Sequence, residues 1–209
     1  MIHADNFSSG VESIRPWAAA SARVGDRPVL IIPGLGGSEP EHWQSHWERE
    51  LLDVERVEQA DWDAPVLAVW LAALKNALRR QPGALLVAHS LGCTLVAHLA
   101  ASDPEAPVGG ALLVAPPDLD RVQGAPPAIR SFAPTPRAAM PFPSIVAASR
   151  DDAYARFEWA RTMASAWAAE VVDLGRRGHV NVAAGVGRWP EGRVLLHRLS
   201  LQARPRPTR

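Results

Sequence analysis

The sequence is poor in the features that mark several large functional classes. It has one cysteine, Cys93, in 209 residues. That excludes an intrachain disulfide and fits a reducing compartment, so a soluble cytoplasmic protein is expected. No apolar run approaches the roughly 20 residues that a membrane-spanning helix needs. The N-terminus lacks the basic start and apolar stretch of a secretory signal. Lysine is nearly missing, with Lys75 alone, so positive charge is almost wholly arginine. Net charge is missing too, with 22 Lys+Arg against 22 Asp+Glu, and nothing in bulk electrostatics draws the chain to nucleic acid or to an anionic membrane. There is no internal repeat. What is present is the composition of an ordinary globular protein, 47% hydrophobic and 21% charged, on a chain long enough for one domain with a substantial core.

Residues 1–26 are weakly patterned and read as an N-terminal extension, and 203–209 (ARPRPTR) as a disordered tail. Between them, in the domain 27–202, short apolar runs alternate with helical patterns. Strands are predicted at 27–34, 54–58, 84–90, 108–117, 144–149 and 170–175. Helices are predicted at 40–52, from Pro65 through 80, at 91–102, before Ala169 and from Pro190. The strands are continuous rather than alternating, as when a sheet is buried on both faces. The fold class is therefore α/β: a three-layer sandwich with a mostly parallel sheet of about six strands flanked by helices. In such folds functional side chains lie just beyond the C-terminal ends of strands. Four stretches meet that condition: PGLGGS (33–38), AHSLG (88–92), SRDD (149–152) and GRRGH (175–179).

AHSLG is close to the G-x-S-x-G nucleophile elbow, with Ala88 at the first small position and Gly92 at the second. The context of buried strand then apolar helix favours Ser90 as a nucleophile over a helix cap or core serine. A serine hydroxyl needs a base, and the base an orienting acid. Among seven histidines, His179 follows a strand end in a glycine-rich turn and is the candidate base. His89 points away from its neighbour Ser90 along an extended strand and reads as a packing or hydrogen-bonding residue. His42 and His46 are spaced i, i+4, but Trp43 stands where the zinc-protease pattern has Glu and no third ligand is evident, so no metal is expected. For the acid, Asp151 and Asp152 both follow the strand; spacing to the next helix favours Asp152, with Asp151 the alternative and Asp118 a distant third. Oxyanion donors in this arrangement are backbone N–H groups, here those of Leu91, after the nucleophile, and Leu35, in the first glycine-rich loop. Trp62, after a further strand candidate, could wall the substrate site or serve only in packing.

The ordered set PGLGGSEPEHWQSHWE, VEQADWDAP, LVAHSLGCTLVAHLA, LLVAPPD, IVAASRDD and GRRGHVN, spanning about residues 28–185, resembles the small single-domain serine hydrolases related to retinoblastoma-binding protein 9. The resemblance implies an α/β-hydrolase fold without a large cap domain and a Ser-Asp-His triad, which falls on Ser90, Asp152 and His179. Arg156, where relatives often have Pro, and Ala88 are departures that remove no chemical group. Only about thirty residues separate the strand ending near Ala115 from the one starting near Ser144, so an open or shallow site is expected. The expected function is hydrolysis of a small ester or related acyl substrate through an acyl-enzyme, with no cofactor and a small molecule as partner. The alternatives are a non-enzymatic interaction module on the same scaffold, or acyl transfer by the same three residues.

Overall fold

The structure, a computed structural model, describes residues 24–119 and 127–203. Six strands form one sheet: β1 (Val29–Ile32), β2 (Val54–Arg56), β3 (Ala84–His89), β4 (Val108–Val114), β5 (Ser144–Ala148) and β6 (Glu170–Asp173). Their order is β2-β1-β3-β4-β5-β6, and every neighbouring pair is parallel. The expectation of a mostly parallel sheet thus becomes a wholly parallel one among the described residues. Five helices connect the strands: α1 (Trp43–Glu50), α2 (Leu67–Arg80), α3 (Leu91–Ser102), α4 (Phe157–Ala166) and α5 (Pro190–Gln202). None is long and apolar enough to cross a membrane.

The continuous apolar strands resolve into two faces with a period of two. Leu30, Ile32, Leu86, Ala88, Leu113 and Val146 share one core cluster with Trp70 and Leu74 of α2, Leu95 of α3 and Met163 of α4. Val29, Ile31, Leu85, Val87, Leu112 and Ile145 share the other with Trp43 and Trp47 of α1 and Leu196 and Leu199 of α5. Three helices therefore cover one face and two the other, giving the three-layer sandwich. The strip Glu170–Asp173 at the sheet edge is mostly exposed.

Element ends differ from the predicted ones by a few residues. Pro65 does not open α2; the helix starts at Leu67, with extended Val66 as its cap. α1 starts at Trp43 because His42 caps it, its Nδ1 accepting the Gln44 N–H at 3.2 Å. Between Val114 and Ser144 the described residues hold only a short 3-10 helix, Pro127–Phe132, and no cap domain. Val24, placed in the N-terminal extension by its weak pattern, is buried in the second core cluster, so packing begins before Arg27. The extension up to Arg23 and the tail from Arg204 lie outside the described residues.

The contact that brings α3 under the sheet is made at Gly92. A Cβ there would sit 2.3 Å from the Ile32 carbonyl oxygen and 2.8 Å from that of Pro33. Both are backbone atoms that cannot swing aside. Gly92→Ala is expected to cost about 1–3 kcal/mol through overpacking, measured as a lower urea midpoint with an unchanged slope.

Candidate active site

The C-terminal ends of β1, β3 and β5, with the loop after β6, converge on one cavity of about 300 Å³. Ser90 sits at the turn from β3 into α3 with φ 52° and ψ −123°. A non-glycine residue held at positive φ is strained, and such strain persists only where the surroundings fix it. Here the Ser90 N–H donates to the Val114 carbonyl at 3.0 Å. Gly34 presses from β1, where a Cβ would lie 2.9 Å from the Ser90 Cβ. The side chain makes no capping bond to α3. Instead the Ser90 hydroxyl is 2.9 Å from His179 Nε2.

The opposite nitrogen of that ring, Nδ1, lies 3.0 Å from Oδ1 and 2.9 Å from Oδ2 of Asp152. These partners assign the tautomer: a carboxylate only accepts, so Nδ1 carries the proton and Nε2 is left to accept from Ser90. The Asp152 side chain is 4% exposed and that of His179 is 10% exposed, so the chain of bonds runs largely out of water. Asp152 Oδ1 also accepts the Tyr154 N–H at 2.8 Å.

Asp151, the alternative acid, faces elsewhere. Its Oδ1 accepts the Ser149 hydroxyl at 2.7 Å and the Gly178 N–H at 2.9 Å, and these bonds hold its carboxyl below the usual carboxylate range. Ser149 Oγ in turn accepts the Arg177 N–H at 2.9 Å. On the next two residues the carbonyls are held: that of His179 accepts from His89 Nε2 at 2.9 Å, and that of Val180 from Trp43 Nε1 at 2.9 Å. Four successive residues of the His179 loop are thus fastened by four side chains. Asp118, the distant third, donates its N–H to the Tyr154 carbonyl and does not meet His179.

Leu35 and Leu91 both line the cavity beside Ser90. Leu91 is the first residue of α3, where N–H groups have no intrahelical partner. The loop carrying Leu35 is stiffened by Gln44, whose side-chain amide donates to the carbonyls of Ile32 and Val87 at 3.3 and 3.0 Å and accepts from Ser38 at 2.6 Å. Trp62 is a correction. It does not line this cavity; its ring packs under Gly37 and against Trp70, and its carbonyl accepts the Gly36 N–H at 2.9 Å. It props the Leu35 loop from behind, and the apolar cavity wall is made by Leu35, Leu91, Pro117, Leu119 and Ile129.

His42 and His46 do not converge on a metal position: one caps α1, and the other contacts Glu41 and Glu50. Among the described residues no group of three His, Cys, Asp or Glu could hold a metal ion. His98 bonds the Phe132 carbonyl at 2.9 Å, and His197 is exposed on α5. The sequence reading missed the reach of His89 and Trp43 to the His179 loop, and the place of Tyr154 on the cavity wall. The one available signal was adjacency, since His89 precedes Ser90 and Tyr154 follows Asp152 by two residues.

The profile of the serine hydrolase family matches residues 29–198. The chain belongs to that family. Its motifs and neighbours place it with the bacterial serine hydrolases related to retinoblastoma-binding protein 9. A YdeN-like hydrolase from Pectobacterium atrosepticum is 32% identical, with 85% of this chain and 93% of that one covered at a TM-score of 0.75. The YdeN gene product of B. subtilis, at 21% identity, covers 83% of this hydrolase and 98% of its own chain with a TM-score of 0.67. An alpha-beta serine hydrolase homologue from Coxiella burnetii, also 21% identical, covers 82% and 88% with a TM-score of 0.58. The last two share the fold. A search of curated proteins found no match.

Two buried histidines give the hydrolase a pH signature. Burial, then the charge of Arg56 and the nearby His179 and His46, pushes His42 down to about 3. Burial, then His42 and His179, holds His89 well below its ordinary value despite its bond to the His179 carbonyl. Both rings are neutral when folded and take up protons near pH 6.5 when unfolded. Their contribution is fully present above that pH and is lost as pH falls below it, by at most about 1.4 kcal/mol per pH unit for each ring. Urea midpoints measured from neutral pH downward should fall accordingly. His42→Asn, which keeps a capping acceptor on α1, should flatten the slope by one ring's share.

Proposed function

We propose that this hydrolase cleaves small esters by forming an acyl-enzyme on Ser90. The observation that carries the reading is the unbroken chain Ser90–His179–Asp152, with bonds of 2.9 to 3.0 Å, at the wall of a largely apolar cavity. Ser90 Oγ attacks the substrate carbonyl as its proton moves to His179 Nε2. Asp152 holds the ring through Nδ1–H and stabilises the imidazolium formed. The oxyanion takes hydrogen bonds from the N–H groups of Leu35 and Leu91. On collapse, His179 gives its proton to the departing oxygen. Water then attacks the acyl-enzyme by the same route in reverse, releasing the acid and restoring Ser90. The residues named need no metal or organic cofactor for these steps. A lone, buried cysteine is compatible with work in the reducing cytoplasm.

The dimensions favour small substrates. A cavity of about 300 Å³ is at the lower end of ligand pockets, which run from about 300 Å³ upward. Its wall of Leu91, Leu119 and Ile129 suits an aliphatic acyl chain.

A fluorophosphonate probe tests the reading directly: Ser90 Oγ displaces fluoride and keeps the phosphonyl group, read as a mass increase on the Ser90 peptide. Folded wild-type protein should label there and Ser90→Ala should not; absence of labelling in the folded wild type would favour a non-catalytic scaffold. Turnover of p-nitrophenyl esters should fall by at least about 10⁴-fold in Ser90→Ala.

The two aspartates separate by magnitude. Asp152→Ala should lower kcat by about 10⁴-fold. Asp151→Ala, which only loosens the loop at Gly178, should lower it by roughly 10- to 100-fold. The reverse order would move the acid to Asp151. Added alcohols, with products analysed, distinguish hydrolysis from acyl transfer.

A further inference from the structure

Two aromatic rings flank that of His179, and only one of them fastens the loop. His89, with ring centroids 4.9 Å apart, is buried and bonded to the His179 carbonyl. Tyr154, the chain's only tyrosine, is closer, at 4.5 Å between centroids, yet it is 51% exposed and lines the cavity. Its backbone is held at both ends of the residue. The N–H donates to Asp152 Oδ1 at 2.8 Å, and the carbonyl accepts from the Asp118 N–H at 3.0 Å. Its hydroxyl forms no hydrogen bond among the described residues. A fixed stem thus presents a large ring half in water, where it forgoes the stabilisation that burial of an aromatic side chain brings.

The chemistry at His179 says what covers that ring. When the tetrahedral intermediate collapses, the bond from carbon to the leaving oxygen breaks. The proton on Nε2 passes to that oxygen, while the acyl group stays on Ser90 Oγ. The leaving oxygen must then stand within about 3 Å of Nε2. Whatever the oxygen carries has to lie beside the His179 ring. On the side of His89 the space is taken by a buried side chain bonded to the loop. On the side of Tyr154 it is open to the cavity and to solvent. Pro117, which precedes the residue bonded to the Tyr154 carbonyl, also lines the cavity and adds apolar wall to it.

We propose that Tyr154 forms a leaving-group subsite: its ring packs against the substituent on the departing oxygen. Esters of alcohols that carry an aromatic or similarly flat apolar group are then preferred over esters of small aliphatic alcohols. This deepens the acyl-enzyme reading of Ser90 and rests on it.

The test compares benzyl and ethyl esters of one short acid, whose alcohols both need a proton on departure. Wild type, Tyr154→Ala, Tyr154→Phe and Ser90→Ala are assayed, and the readout is the ratio of kcat/KM for benzyl over ethyl ester. Stacking of one ring is worth several-fold to about tenfold. The ratio should fall by about that factor in Tyr154→Ala, chiefly through KM for the benzyl ester, and should persist in Tyr154→Phe. Because the ratio is taken within each variant, partial loss of folded protein cancels. An unchanged ratio in Tyr154→Ala overturns the subsite, whether both activities drop together or neither drops. Loss of the ratio in Tyr154→Phe overturns ring packing in favour of the hydroxyl. The Ser90→Ala protein keeps the two readings apart: turnover that survives it overturns the acyl-enzyme route. Turnover that needs Ser90 while ignoring Tyr154 overturns the subsite alone.

Discussion

His179 comes to Ser90 from a loop with no regular secondary structure, so their 2.9 Å contact depends on what fixes that loop. The fixing is done by side chains. Ser149 and Asp151 take the N–H groups of Arg177 and Gly178, and His89 and Trp43 take the carbonyls of His179 and Val180. These four come from the end of β5, the end of β3 and the start of α1, the same sheet edge that presents Ser90 and Asp152. A general base has to stand within hydrogen-bond reach of its proton, and a displacement of about 1 Å can cost 10²-fold in rate. The loop is therefore built as part of the sheet rather than as a flexible appendage. Val180, held at φ 50°, shows how firmly the surroundings dictate its path.

Much of this plan was legible in the sequence, and for a common reason. Strands buried on both faces leave continuous apolar runs, and these are hard to mistake; β3, β4 and β5 were all found within a few residues. Ser90 and Asp152 follow such runs closely, so finding the strands also found the residues at their ends; His179 lies beyond the mostly exposed β6 and stood out by its glycine-rich turn. The two aspartates show the limit. Asp151 and Asp152 have the same chemistry and adjacent positions, and only the turn of the backbone sends one carboxylate to the His179 ring and the other to Gly178. Trp62, open in sequence between cavity wall and packing, shows a related limit: a tryptophan at a strand end signals proximity to a site, but not which side of the loop it takes. Its ring packs against Gly37 and Trp70. Tyr154 carries no mark in the sequence beyond its place two residues after Asp152, since exposure at a cavity wall has no signature there.

Three histidines within a short distance divide the work by environment. His179 has one nitrogen on Asp152 and the other on Ser90. His89, tilted against it at a centroid distance of 4.9 Å, and His42, tilted against His89 at 4.8 Å, are kept neutral by burial. Neutral neighbours matter for the proposed mechanism, because a positive charge on either would oppose formation of the imidazolium at His179. The same ring chemistry thus serves as backbone tether and as helix cap and, in the proposed mechanism, as base, with burial and partners deciding which.

The order of the sheet also governs when the site comes into being. β1 pairs with β3 rather than with its sequence neighbour alone, and β6, which leads to His179, sits at the far edge beyond β5. Ser90 can take its place once β1, β3 and β4 are together, but its partner lies 89 residues further on. Parallel pairings of this kind close long loops and form slowly. The contact between Ser90 and His179 is therefore a late event in the life of a new chain: it reports that the last strand has docked, not merely that the core has collapsed.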